Sequence, residues 1–135
     1  MKIRKISYSQ LNARQKESYN FHKVAAVLAD YGYNSVRLAD DWQGADFIAI
    51  HIDGESFMKV QLKSRFTVDK KYLGKKIFVA FIENDLIKMY DHDMVCKNLT
   101  RGVLLSSSWK NKGFYSWNKT PKKYEDYLNV LNTIN

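Results

Sequence analysis

The sequence predicts a mixed α/β domain: a helix, three strands, a short crossover, a further strand with a hairpin partner, and a closing C-terminal helix. Three observations predict it. Phe21, Val24, Ala25 and Leu28 recur at helical spacing. Short apolar runs at residues 46–52, 57–65 and 76–82 are separated by turn-forming residues. The chain has 135 residues, 45% hydrophobic and 14% aromatic. That length suits one domain, residues 1–135, with enough apolar side chains for a core.

Each element follows from local chemistry. Residues 13–30 read as a helix, with Asn12 placed to cap its start and Gly32 following its end. Residues 33–38 read as a strand. Residues 46–52 and 57–65 read as two more, joined at the tight-turn dipeptide Asp53-Gly54. Residues 67–74 read as a short helix ending at Gly74. Residues 76–82 form a continuous apolar run of the kind buried on both faces. Residues 86–90 follow across Asn84-Asp85 as its hairpin partner. Residues 91–99 read as a short capped helix, and 103–108 and 113–117 as strands. Thr120-Pro121 reads as the N-cap and first residue of a last helix, with Tyr124, Tyr127, Leu128 and Leu131 on one face.

Composition excludes several classes. No apolar run approaches the roughly 18 residues of a membrane span, so no membrane association is expected. Residues 1–5 are basic, but no apolar segment follows them, so a signal peptide is not expected. The single Cys96 cannot close an internal disulfide, which points to a reducing, cytoplasmic compartment. Lys plus Arg is 22 against 14 for Asp plus Glu, a formal charge of +8. A polyanionic partner is therefore expected, with nucleic acid foremost.

The charge is unevenly spread. Residues 1–16 carry five basic residues and no acid. Residues 59–76 carry Lys59, Lys63, Arg65, Lys70, Lys71, Lys75 and Lys76 against Asp69 alone. Residues 97–123 carry seven basic residues and no acid. Between the first two segments, residues 38–55 carry Asp40, Asp41, Asp46, Asp53 and Glu55 with no Lys or Arg. Solvated loops are one reading of that acidic stretch. A cation site within a phosphate-binding surface is the other. Asp40 and Asp41 read first as loop residues. Trp109, Phe114, Tyr115 and Trp117, interleaved with lysines, read equally as core or as a stacking surface.

The Asp53-Gly54 turn fixes a register. A two- or four-residue loop over that centre pairs Ile50 with Phe57, Ile48 with Lys59 and Asp46 with Gln61. Opposed residues share a face with Cβ atoms roughly 4.5–5.5 Å apart. Lys63, two residues beyond Gln61, projects to the same face. A carboxylate and an amide oxygen so placed can ligate one hard cation, and the Leu62 carbonyl lies between them. Mg²⁺ favours such oxygen donors. Lys63 would orient or help deprotonate a nucleophile and stabilise charge on phosphorus. Glu17 is four residues before Phe21, which places it on the apolar face of the first helix. There its carboxylate would need a partner.

This constellation resembles the PD-(D/E)XK nuclease superfamily: Glu17 on the first helix, Asp46 opening a strand, then Gln61-Leu62-Lys63 as the QxK variant of the terminal motif. The resemblance covers roughly residues 12–90. It implies a restriction-endonuclease-like α-β-β-β-α-β core and Mg²⁺-dependent phosphodiester cleavage, with Mn²⁺ able to substitute. Glu17, Asp46 and Gln61 would be metal-site residues, and Lys63 the catalytic lysine. Ala45 stands where the family has Pro, and Gln61 where it has an acid, which removes one negative charge from the site. The crossover after Arg65 is short for the family helix.

The expected activity is endonucleolytic cleavage of DNA, favoured over RNA, directed by structure or weakly by sequence. Lys59, Arg65, Lys70, Lys71, Lys75 and Lys76 would track the backbone phosphates. A homodimer would allow both strands to be cut. The alternative is a non-catalytic nucleic-acid-binding protein on the same fold. A third reading is a factor whose charge serves an acidic protein partner.

Overall fold

The computed structural model describes residues 1–133 and is a mixed α/β fold with a mostly antiparallel six-stranded sheet. A helix, α1 (Ala13–Ala29), precedes β1 (Tyr33–Trp42), β2 (Ala45–His51) and β3 (Phe57–Leu62). Then come β4 (Thr67–Asp69), β5 (Ile77–Glu83) and β6 (Leu86–Asp91). Two short helices, α2 (His92–Cys96) and α3 (Arg101–Leu104), lead to β7 (Phe114–Ser116) and β8 (Asn129–Thr133). The main sheet has the order β1-β2-β3-β5-β6-β8, and β4 and β7 form a small second sheet. The β3–β5 pair is parallel; the other neighbours are antiparallel.

The first helix forms as its sequence dictates. The Asn12 side chain accepts from Gln15 N–H at 2.9 Å, and the Gln15 side chain accepts from Asn12 N–H at 2.9 Å, a reciprocal cap. Phe21, Val24, Val27 and Leu28 are buried against Phe47, Ala49, Val60, Ala80, Ile87 and Met89 of the sheet. On the opposite face, Phe66, Val68, Tyr72, Val79, Phe81, Tyr90, Trp109 and Tyr124 build a second, aromatic core. Trp109 is buried there, and Trp117 lies 4.8 Å from Phe66 and 5.4 Å from Tyr124. These two tryptophans are therefore core residues, which decides their ambiguous reading.

The β2–β3 register matches expectation at Ile50↔Phe57 and Ile48↔Lys59. The loop is the four-residue form, closed by His51 N–H to Ser56 O at 2.8 Å. Asp53 holds it by accepting from Glu55 N–H, Ser56 N–H and Ser56 Oγ–H, which together lower its pKa. The Asn84-Asp85 hairpin also forms, with positive φ at both residues. Asp91 caps α2 through Met94 N–H.

Four expectations fail. No helix crosses between β3 and β5. Residues 67–69 are strand β4, followed by a 3-10 turn at Lys70–Tyr72. Distant partners decide this: Thr67 N–H donates to Tyr90 Oη, Asp69 N–H donates to His92 Nε2, and Phe114–Ser116 completes the ladder. Residues 103–108 are not a strand; Thr100 caps α3 by accepting from Val103 N–H. The closing helix is absent too. A 3-10 segment at Lys122–Tyr127 gives way to β8, which pairs with the otherwise open side of β6. There Val130 faces solvent while Leu131 packs on the helix-side core, a two-residue alternation that serves a strand. Finally, β1 runs on to Trp42, four residues past its expected end, and turns at Gln43-Gly44.

That turn anchors the hairpin. Gln43 and Gly44 both have positive φ (51° and 87°), as a two-residue hairpin loop requires. A Cβ at Gly44 would lie 2.8 Å from Tyr72 Cδ1, so only glycine lets the tip close on that ring. Among the described residues, no helix is long and apolar enough to cross a membrane.

Candidate active site

Asp46 and Gln61 flank the last β2–β3 pair, Phe47↔Val60, where Ala13, Lys16, Glu17 and Asn20 of α1 line the same cleft. Asp46 sits at the start of β2 and is half-buried; its Oδ2 accepts from Leu62 N–H at 2.8 Å. The bond joins the two strands beyond their last paired residues, Phe47 and Val60. Gln61 is only 8% exposed. Its Nε2 donates to the Leu62 carbonyl at 3.2 Å, while its Oε1 is buried without a hydrogen-bond partner. A buried acceptor left unpaired costs about 1–3 kcal/mol.

Lys63 follows β3, its N–H donating to Ala80 O at 3.0 Å. Its ammonium lies 5.3 Å from the centroid of the Tyr72 ring. Burial lowers its pKa, Lys71 lowers it further, and Asp69, Asp46 and Asp41 oppose the shift. Asp46 moves the other way. Burial raises its pKa against the Leu62 N–H bond, and Asp41 and Glu17 add to the rise while Lys63 opposes it. Both groups are thereby drawn toward their neutral forms.

Asp46, Gln61, Leu62 and Lys63 line one cleft of about 550 Å³ together with Glu17, Asp40 and Asp41. The four residues singled out by the sequence are thus brought to one place. Glu17 differs from expectation in its environment: it is exposed, because the buried stripe of α1 begins one turn later at Phe21. It stands on the rim and needs no buried partner. Among the described residues, no three His, Cys, Asp or Glu side chains are placed to hold a metal ion together. Any cation in this cleft would depend on the Gln61 amide and backbone oxygens as well as carboxylate.

The expected phosphate-tracking residues lie outside the cleft lining. Lys59 donates to Gln43 Oε1 at 3.4 Å. Arg65 is exposed and donates to Asn118 Oδ1 at 2.6 Å. Lys70 lies 5.2 Å from the Trp109 ring centroid, and Lys71 the same distance from Tyr72. Lys75 and Lys76 are exposed just before β5. Sequence reasoning undervalued Asp40 and Asp41, which it read as loop. The overlooked signal was Gln43-Gly44, which extends β1 and carries both acids to the cleft. No family model matches this chain, and comparison with curated proteins and with solved structures finds no significant match for it.

Proposed function

We propose that the chain is a small Mg²⁺-dependent endonuclease of restriction-endonuclease-like type, acting on DNA in preference to RNA. The observation that carries this reading is the unpaired, buried Oε1 of Gln61, a residue that lines one cleft with Asp46 and Lys63. An orphaned oxygen in one cleft with a desolvated carboxylate fits a hard cation. Asp46 and Gln61 would hold it, with Glu17 at the rim. The Leu62 carbonyl, already accepting from Gln61 Nε2, keeps a second lone pair for it. When bound, Mg²⁺ supplies Lewis-acid neutralisation of the charge that grows on the phosphoryl group.

The chain's own residues supply the rest. The lowered pKa of Lys63 leaves more of its amine in the neutral form, the form that can take a proton from the attacking water. In its charged form it stabilises the phosphorane oxygens. The hydrogen bond that Leu62 N–H donates to Asp46 Oδ2 fixes one carboxylate oxygen and leaves Oδ1 available to a ligand.

The test is incubation with supercoiled, single-stranded and branched DNA in Mg²⁺ or Mn²⁺, beside Lys63→Ala and Asp46→Ala. Wild type is expected to cleave, and each variant to lose about 100-fold or more. Absence of cleavage by wild type, or equal cleavage by the variants, overturns the proposal. A non-catalytic nucleic-acid-binding protein is the second reading, favoured by the neutral Gln61 and by the absence, among the described residues, of a three-residue ligand group. Salt-dependent DNA binding without cleavage would identify it.

A further inference from the structure

Trp42 is 55% exposed, whereas Trp109 is 7% exposed and Trp117 packs on the aromatic core. An indole left in water at a hairpin tip is a large apolar surface without an internal role. Its backbone is nevertheless held firmly. Trp42 pairs with Ala45, which is fully buried, and the intervening Gly44 closes on Tyr72. The Lys59 ammonium lies 5.9 Å from the Trp42 ring centroid and is hydrogen-bonded to Gln43, the next residue along.

The position matters as much as the exposure. Asp40 and Asp41, immediately before Trp42 on β1, line the cleft that holds Asp46, Gln61 and Lys63. Lys59 is two residues before Gln61 on β3, about 6.6 Å along the strand. Aromatic surface and ammonium thus stand together at the cleft's edge, on a chain of net charge +8.

We propose that Trp42 and Lys59 form a stacking platform for an unpaired base, so that the cleft's substrate is a nucleic acid with a single-stranded segment. The inference deepens the nuclease reading and rests on it for the identity of the substrate. The indole offers a π-face to a base that is free of its own stack, and Lys59 offers a cation to the adjoining phosphate. Inside a blunt duplex both faces of each base are covered by its neighbours, so Trp42 gains nothing there.

The experiment is binding in chelator at low salt, which separates recognition from cleavage. The probes are an oligothymidylate of about 12 nucleotides, within the site sizes of single-strand binders, and a blunt duplex of equal length. Wild type is expected to prefer the single strand, with quenching of indole fluorescence. Trp42→Ala should weaken single-strand binding by about 5- to 150-fold, the span of one stacked base, and leave duplex binding nearly unchanged. Trp42→Phe should retain most of the affinity. Because the side chain is exposed, Trp42→Ala should melt close to wild type. Equal single-strand binding by Trp42→Ala, preference for the duplex, or no binding by wild type would each overturn the platform. Trp42-dependent binding without Mg²⁺-dependent cleavage keeps the platform and removes the nuclease. Cleavage without Trp42-dependent binding does the reverse.

Discussion

On one face of the main sheet, α1 lays Phe21, Val24, Val27 and Leu28 over Phe47, Ala49, Val60 and Ala80. On the other, no long helix does this work. Short segments from residues 63–76 and 92–128 fold over Val79, Phe81 and Tyr90, and polar bonds fix them. Tyr90 Oη accepts from Thr67 N–H at 3.1 Å and also donates to Thr67 O. His92 Nε2 accepts from Asp69 N–H at 2.9 Å. Glu83 pairs with Lys88 at 2.7 Å and accepts from Thr120 N–H and Oγ1–H, both at 3.0 Å. Tyr124 Oη accepts from Thr100 N–H. A regular helix satisfies its own backbone, so only apolar contact is needed to dock it. Irregular cover brings unpaired backbone groups to the core, and buried side chains must answer each of them.

That contrast can be broken most severely at Phe66, whose ring packs against Phe81, Tyr90, Trp117 and Tyr124. Phe66→Ala should cost about 4 kcal/mol in denaturant unfolding. Glu83→Ala comes next, at about 3 kcal/mol, because it strands Lys88, whose side chain is only 13% exposed. Tyr90→Phe, which removes one oxygen and orphans two groups of Thr67, should cost about 2 kcal/mol. The helix side depends less on such polar bonds. Asn12→Ala removes the cap of α1 and should cost about 1 kcal/mol. The smallest effect has the opposite sign. Asp46→Asn should raise Tm of the metal-free protein, since it removes a desolvated charge and keeps an acceptor for Leu62 N–H, while abolishing the proposed Mg²⁺-dependent cleavage.

The irregular side should also be the acid-sensitive one. Burial opposes ionisation of Glu83, but its bonds from Lys88 and Thr120 prevail and lower its pKa below the ordinary 4.5. A depressed carboxylate adds stability above its unfolded pKa and loses it as pH falls through its folded value. Burial likewise lowers His92 below 6.5, against opposing contributions from Asp93, Asp69 and Asp91. Its neutral form is needed to accept from Asp69 N–H, so its contribution declines as pH drops below about 6.5. Chemical denaturation across pH should show this decline in wild type and a shallower one in Glu83→Gln.

The same division governs what the sequence revealed. The helical spacing of Phe21, Val24 and Leu28, the Asn12 cap and the Asp53-Gly54 register are local signals, and each matches the fold. The register brought Asp46 toward Gln61 because an antiparallel hairpin leaves little else to decide. Residues 67–69, 103–108 and 129–133 were misread because their conformations are set by partners remote in sequence: Tyr90 and His92, Tyr124, and the open side of β6. Propensity is a weak guide where such contacts prevail. The exposure of Glu17 was hidden for a related reason. Spacing places a residue on a helix face but does not say how far along that face the sheet reaches. Asp40 and Asp41 stayed obscure until the Gln43-Gly44 turn gave β1 its full length.

The parallel junction between β3 and β5 bears on how the protein folds. Strands β1 to β3 form a run of hairpins, and β5 with β6 forms another, so each half can assemble from contacts between near neighbours. Joining them requires residues 63–76 to close as a loop first, which is entropically the slower event. Gln61 pairs with Val79 and Lys63 bonds to Ala80 along that junction. The residues that line the cleft all lie between positions 8 and 64, in the first half, so the junction does not build the cleft but braces one wall of it, holding Gln61 and Lys63 against β5.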